Sequence, residues 1–293
     1  VSLTLTKKRA VTELVGAGAI WGFGFVATIL SLKSFGPLTS IVLRFVLATL
    51  FFWPLLFIIP SFKSKKHWEL LKYSFLPGIF LALLMFFQTW GMKYTTATKS
   101  GFITTLYIIF VPFVEGVFFR KRIKNLHYLF VFVALIGTAL ICEFHGGHWN
   151  IGDLLTLVCS WAATFHMIVI GRVAQKVDSS MAFNVYQSFW AIFIPLGFLF
   201  IMPEPMVSPL EITEEALFGM LWLIFLSTGL AFMLQIRAQR VLSPSIASIL
   251  FLLESSFAAF FAFFVLGEML TGYQWFGAIL ILASAYGVVK TEV

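Results

Sequence analysis

Long apolar runs alternate with short polar connections from one end of the chain to the other. The runs lie at roughly 12–32, 37–59, 70–93, 98–119, 126–143, 152–173, 179–202, 216–237, 244–266 and 272–290. Each is close to the roughly 20 residues a helix needs to cross hydrocarbon. The pattern predicts an all-α polytopic membrane protein with ten transmembrane helices. The longest connection, Met202–Glu215, is too short to hold a soluble domain. Lys7, Lys8 and Arg9 precede the first run as they would in a signal peptide. That run is too long for a cleaved core, so it is read as an uncleaved first helix.

Composition agrees: the 293 residues are 60% hydrophobic and 11% charged, against about 25% charged in soluble domains. The net charge of +7 does not require a nucleic-acid partner. Sixteen of the twenty Lys and Arg residues fall at alternate ends of the runs, and only Lys33, Lys93 and Lys99 at the others. The positive-inside rule then puts both termini in the cytoplasm and 203–215 outside. Cys142 and Cys159 read as small apolar residues, able to pair only if two helix ends meet. His145 and His148 flank two glycines in a loop and lack metal-ligand spacing. No cofactor or metal is expected.

The two halves echo each other. Trp21–Phe25 reads WGFGF, and Trp161–Phe165 reads WAATF, 140 positions later. The connection into the fourth run and that into the ninth are both rich in hydroxyls and small residues, at an offset of about 147. An odd number of spans per half inverts the second half relative to the first. The expected domains are therefore a first five-helix repeat over 1–148 and a second, inverted repeat over 149–293. Inverted repeats are a transporter signature.

Several of these segments resemble the drug/metabolite transporter superfamily of EamA type, over essentially the whole chain. They are Trp21–Phe25, Pro37 with Arg44, Tyr94–Pro112, Trp161–Arg172, and Ala247–Glu268 followed by Gly277–Ala278. Where the family often carries Glu-Pro in the ninth helix, this chain has Glu254–Ser255. The resemblance implies a central cavity walled by both halves, and a role in moving small metabolites, amino acids or toxic compounds.

The costliest residue is Glu254, near the middle of Pro244–Leu266. An acidic group at the bilayer midplane costs at least about 2.5 kcal/mol, so it should face a cavity or a partner. It either hydrogen-bonds another helix or lines a substrate or proton path. Arg44, two turns inside the second run, either snorkels to the interface or faces the same cavity, to meet a carboxylate or Glu254. Trp21, Tyr107 and Trp161 lie too deep for the interfacial aromatic belt. Gln88 and Gln187 can bond across helices. His166 is the other titratable group near the midplane. The candidate substrate-binding residues are Trp21, Arg44, Gln88, Tyr107, Trp161, His166, Gln187 and Glu254.

The expected function is secondary active transport of a small amino acid-like, aromatic or heterocyclic metabolite across the cytoplasmic (inner) membrane, by alternating access. Its partners would be that small molecule and membrane lipid, with no nucleic acid. Proton coupling, coupling to another ion and facilitated diffusion stay open, as do a monomer and a homodimer. No P-loop accompanies the spans, so ATP is not the energy source within this chain. The rivals are an intramembrane enzyme using His166 and Glu254, and a channel. Neither an HExxH or GxSxG motif nor a continuous polar stripe supports them.

Overall fold

The computed structural model describes residues 6–120, 125–141, 149–205 and 211–292. Cys142, His145 and His148 lie outside them, as does part of the 203–215 connection. Described secondary structure is helical throughout. The first half holds α1 (Lys7–Ser31), α2 (Pro37–Ile58), α3 (His67–Tyr73), α4 (Phe75–Gly91), α5 (Ala97–Thr104), α6 (Tyr107–Phe119) and α7 (Asn125–Ile141). The second holds α8 (Ile151–Val173), α9 (Ser180–Ala191), α10 (Phe193–Ile201), α11 (Glu214–Leu221), a π-helical segment (Trp222–Ala231), α12 (Phe232–Ala238), α13 (Pro244–Leu250), α14 (Leu252–Leu266) and α15 (Gly272–Glu292).

Among the described residues, seven helical spans are long and apolar enough to cross a bilayer, with α5–α6, α9–α10, α11–α12 and α13–α14 each taken as one span. The pair α3–α4, bent by 47°, makes an eighth if taken as one span. Helices also occupy the other two expected places, α7 and α15. Helix ends follow from local chemistry. Pro37 and Pro244 start α2 and α13, where a missing N–H costs nothing. Asn150 and Asp153 form a reciprocal capping box on α8. Gly267, at φ 69°, ends α14 in a left-handed conformation that suits glycine.

Two of the helix breaks have a proline in the following turn. Pro77 follows the α3–α4 bend and Pro195 the α9–α10 break, each leaving one carbonyl without its helical N–H. The α5–α6 and α13–α14 breaks have none there. Instead Thr105 Oγ1 donates to the Phe102 carbonyl at 2.8 Å. Ser255 Oγ donates to the Leu252 carbonyl at 2.7 Å. Hydroxyl bonds of this kind compete with the backbone ladder. The ninth span is thus interrupted without the family's proline.

α1 packs on α14 and on the α11-to-α12 span; α8 packs on α5–α6 and on α4; α7 packs on α15 and α2 on α9. Gly22 permits the closest of the α1–α14 contacts. A Cβ there would lie 2.4 Å from Phe257 Cβ and 2.9 Å from the Glu254 carbonyl. The centre of the bundle, where α1, α2, α4, α6, α8, α12 and α13 converge, holds a large buried apolar cluster that includes Phe45, Leu81, Val111 and Phe251.

Candidate functional site

Within that cluster lies a small cavity, mostly apolar but with several polar side chains in its wall, about 60 Å³ in free volume, room for a few waters. Six of the eight expected residues line it: Trp21, Arg44, Gln88, Tyr107, His166 and Glu254. Trp161 does not. It stacks on Phe110, with centroids 4.1 Å apart, and is 37% exposed on the outside of the bundle. Gln187 is fully buried one layer behind the cavity wall.

Arg44 is 5% exposed, so it does not snorkel to the surface. Its Nε donates to Thr228 Oγ1 at 2.6 Å and its Nη1 to Met85 Sδ at 3.1 Å. A guanidinium has five N–H donors. Among the described residues no carboxylate pairs with this one, and Glu254 is not its partner. Glu254, 7% exposed, accepts from Tyr107 Oη at 3.2 Å through Oε2. These two are separated by 147 positions, the offset between the halves, and each follows a helix break. The breaks of the fourth and ninth spans therefore meet at this hydrogen bond.

The aromatic wall is Trp21, with Phe232 and Phe251 at centroid distances of 4.8 and 5.0 Å. Its indole Nε1 donates to the Ser227 carbonyl at 3.0 Å. Gln88 Nε2 donates to Thr104 Oγ1 at 3.4 Å. Behind the wall a buried amide chain links two sides of the cavity. Asn184 Nδ2 donates to the Thr228 and Gly229 carbonyls at 2.7 and 3.0 Å. Gln187 Nε2 donates to Asn184 Oδ1 at 2.9 Å, and His166 Nε2 donates to Gln187 Oε1 at 3.3 Å. Asn184 thereby fastens the π-helical segment, which carries Thr228 to Arg44. Single π turns recur at functional sites in helices.

Two more lining atoms, Ser227 Oγ and Gln235 Oε1, are buried and accept or donate no hydrogen bond among the described residues. Leaving such atoms unpaired costs free energy, which a polar ligand would recover. Ser227, Thr228 and Asn184 were not singled out from the sequence. The signal was the hydroxyl pair beside Gly229 in an otherwise apolar span. Glu115, near the end of α6, accepts from Ser245 Oγ at the start of α13. Cys159 is a free, buried thiol, with Sγ 3.9 Å from Thr104 Oγ1.

The fold and its buried polar centre define a multi-pass helical membrane protein. The family model for EamA-like transporters matches twice, at residues 9–142 and 150–290, and the chain belongs to that family. It is 32% identical to an uncharacterized transporter of Archaeoglobus fulgidus over 90% of this chain and 80% of that one. A second uncharacterized transporter of the same organism is 25% identical over 91% and 92%. A solved crystal structure shares the fold at a TM-score of 0.72, with 14% identity, over 96% of this chain and 98% of that one. The protein is a membrane transporter by family.

Proposed function

We propose that the chain is a secondary active transporter of the cytoplasmic (inner) membrane. It moves a small amino acid-like, aromatic or heterocyclic metabolite through the Arg44–Glu254 cavity by alternating access. The observation that carries this reading is the pairing state of the two charged side chains. Arg44 and Glu254 line one buried cavity without neutralising each other. A solute with a carboxylate or another acceptor group would complete the guanidinium, for which a planar fork is suited. Trp21, Phe232 and Phe251 would stack on a flat apolar body. Trp161 and Gln187 take no direct part in this reading; Gln187 acts through His166 and Asn184.

The two halves, 1–148 and 149–293, are proposed to be inverted five-helix repeats of a ten-span protein with both termini cytoplasmic. The separate family match on each half supports this. So does the exchange of packing pairs, α1 on α14 against α8 on α5–α6. Ligand pockets for drug-sized molecules occupy about 300–1,000 Å³, so the cavity must widen to admit a metabolite. Alternating access provides that movement.

The test is an uptake and efflux screen of the purified protein in liposomes against a metabolite mixture, with and without a pH gradient. One or a few small metabolites should move faster than in protein-free liposomes. Chemical conversion of a compound without its transport would favour the enzyme reading and overturn this one.

A further inference from the structure

Two buried carboxylates outside the cavity have matched settings at opposite ends of the bundle. Glu13 on α1 and Asp153 on α8 are 8% and 0% exposed. They differ by 140 positions, the offset that also relates Trp21 to Trp161. Glu13 Oε1 and Oε2 accept from Arg237 Nη2 and Nε at 2.6 and 2.8 Å, with Arg9 Nε at 3.2 Å. Asp153 Oδ2 accepts from Lys99 Nζ at 2.6 Å and from the Asn150 N–H at 3.0 Å. Its Oδ1 accepts from Thr95 Oγ1 at 2.7 Å.

Both ion pairs join one half of the chain to the other. Glu13 holds the end of α12, next to the connection into α13. Asp153 holds the start of α5, next to the connection from α4. Along α1, Glu13 lies eight residues before cavity-lining Trp21, about 12 Å at helical rise. Along α8, Asp153 lies ten residues before cavity-lining Ala163, about 15 Å. The far end of α1 clusters with Met92 and Ala97, beside Asp153, so the two pairs flank the cavity from opposite faces. The cation in each pair is the more exposed member, at 35% for Arg237 and 24% for Lys99. The carboxylates are the less exposed members, and parting the helices would bring them further into water.

We propose that Glu13 and Asp153 are paired latches, one closing each face of the cavity, and that opening to either side breaks one and keeps the other. Both are closed in this structure, in agreement with a cavity contracted to about 60 Å³. Parting a buried pair leaves an uncompensated charge unless water enters. Opening to one face therefore gives up one ion pair for hydration, and opening both faces at once gives up two. The inference rests on the transport reading, but its test needs no substrate.

The reporter is Ser227→Cys, a cavity-lining position, in a chain with Cys142→Ser and Cys159→Ser. It is labelled in oriented liposomes by a membrane-impermeant thiol reagent applied to one face at a time. Asp153→Asn should raise the labelling rate from the face where α8 begins by on the order of ten-fold, with little change from the other. Glu13→Gln should do the reverse. Lys99→Gln and Arg237→Gln, at the exposed partners, should reproduce each effect if a carboxylate variant fails to fold. Equal changes from both faces, or no change in any folded variant, would overturn the proposal. Reciprocal labelling in a chain that moves no solute would keep the latches and refute transport, so the two failures are distinct.

Discussion

Three glycines on one helix measure how tightly α1 must approach α14. A Cβ at Gly22 would lie 2.4 Å from Phe257 Cβ and 3.0 Å from the Ala258 backbone nitrogen. Comfortable carbon contacts begin near about 3.5 Å, so α14 must retreat by about 1 Å. Two of the three close atoms are backbone and cannot swing aside. At Gly18 the nearest atom is the Glu254 nitrogen at 3.6 Å, an ordinary contact, and at Gly16 nothing lies within 4 Å. Overpacking costs about 1–3 kcal/mol. Alanine in place of glycine inside a helix returns about 0.8–1.0 kcal/mol. Gly22→Ala should therefore lose up to about 2 kcal/mol net. Gly16→Ala should gain up to about 1 kcal/mol, and Gly18→Ala should lie between them. The assay is the thermal midpoint of each detergent-purified variant, followed by loss of the monodisperse peak. Gly22→Ala melting at or above the parent, together with Gly16→Ala, would refute the close approach.

Glu254→Gln keeps shape and hydrogen bonding, so it should fold and insert but change the pH dependence of the initial transport rate; superimposable profiles would reduce Glu254 to a partner of Tyr107. Thr228→Val removes the acceptor from Arg44 Nε, whereas Thr228→Ser retains a hydroxyl. A hydrogen bond to a charged group is worth about 1.5–3 kcal/mol; valine should raise KM by on the order of ten-fold with serine near the parent, and equal effects of the two would refute the positioning role. Cysteines at Lys93 and Glu211, both exposed, should be labelled from outside intact cells, and one at Lys65 only after permeabilisation; the opposite result overturns the orientation.

The helix positions were legible because apolar length is a strong signal in a chain with few charges. The α3–α4 bend and the α9–α10 break carry Pro77 and Pro195 in the next turn. The α5–α6 and α13–α14 breaks carry no such mark, since Thr105 and Ser255 are ordinary residues until their hydroxyls bond backwards. Nor does the π-helical segment announce itself, because Trp222–Ala231 is apolar at either periodicity. Arg44, Glu254, Gln88 and His166 could be found because polar groups deep in a span cannot comfortably face lipid. Trp161 obeys no such constraint: an aromatic ring deep in a span can lie on the lipid side, and this one stacks on Phe110. Glu13 sits four residues from Arg9 near a helix end, where an acidic residue looks like part of a solvated interface. Only the fold brings Arg237 to it from 224 positions away.

The central claim is that a solute crosses through the cavity that Arg44 lines. The most direct measurement compares the parent and Arg44→Lys in liposomes, at matched amounts of folded protein, using a compound found in the screen. Lysine keeps the positive charge but loses the planar fork and the Nε donor held by Thr228. The account predicts that Arg44→Lys moves the compound at roughly a tenth of the parent's rate or less at low solute concentration, where kcat/KM governs. Parental rates in Arg44→Lys, and also in Arg44→Ala, would contradict it.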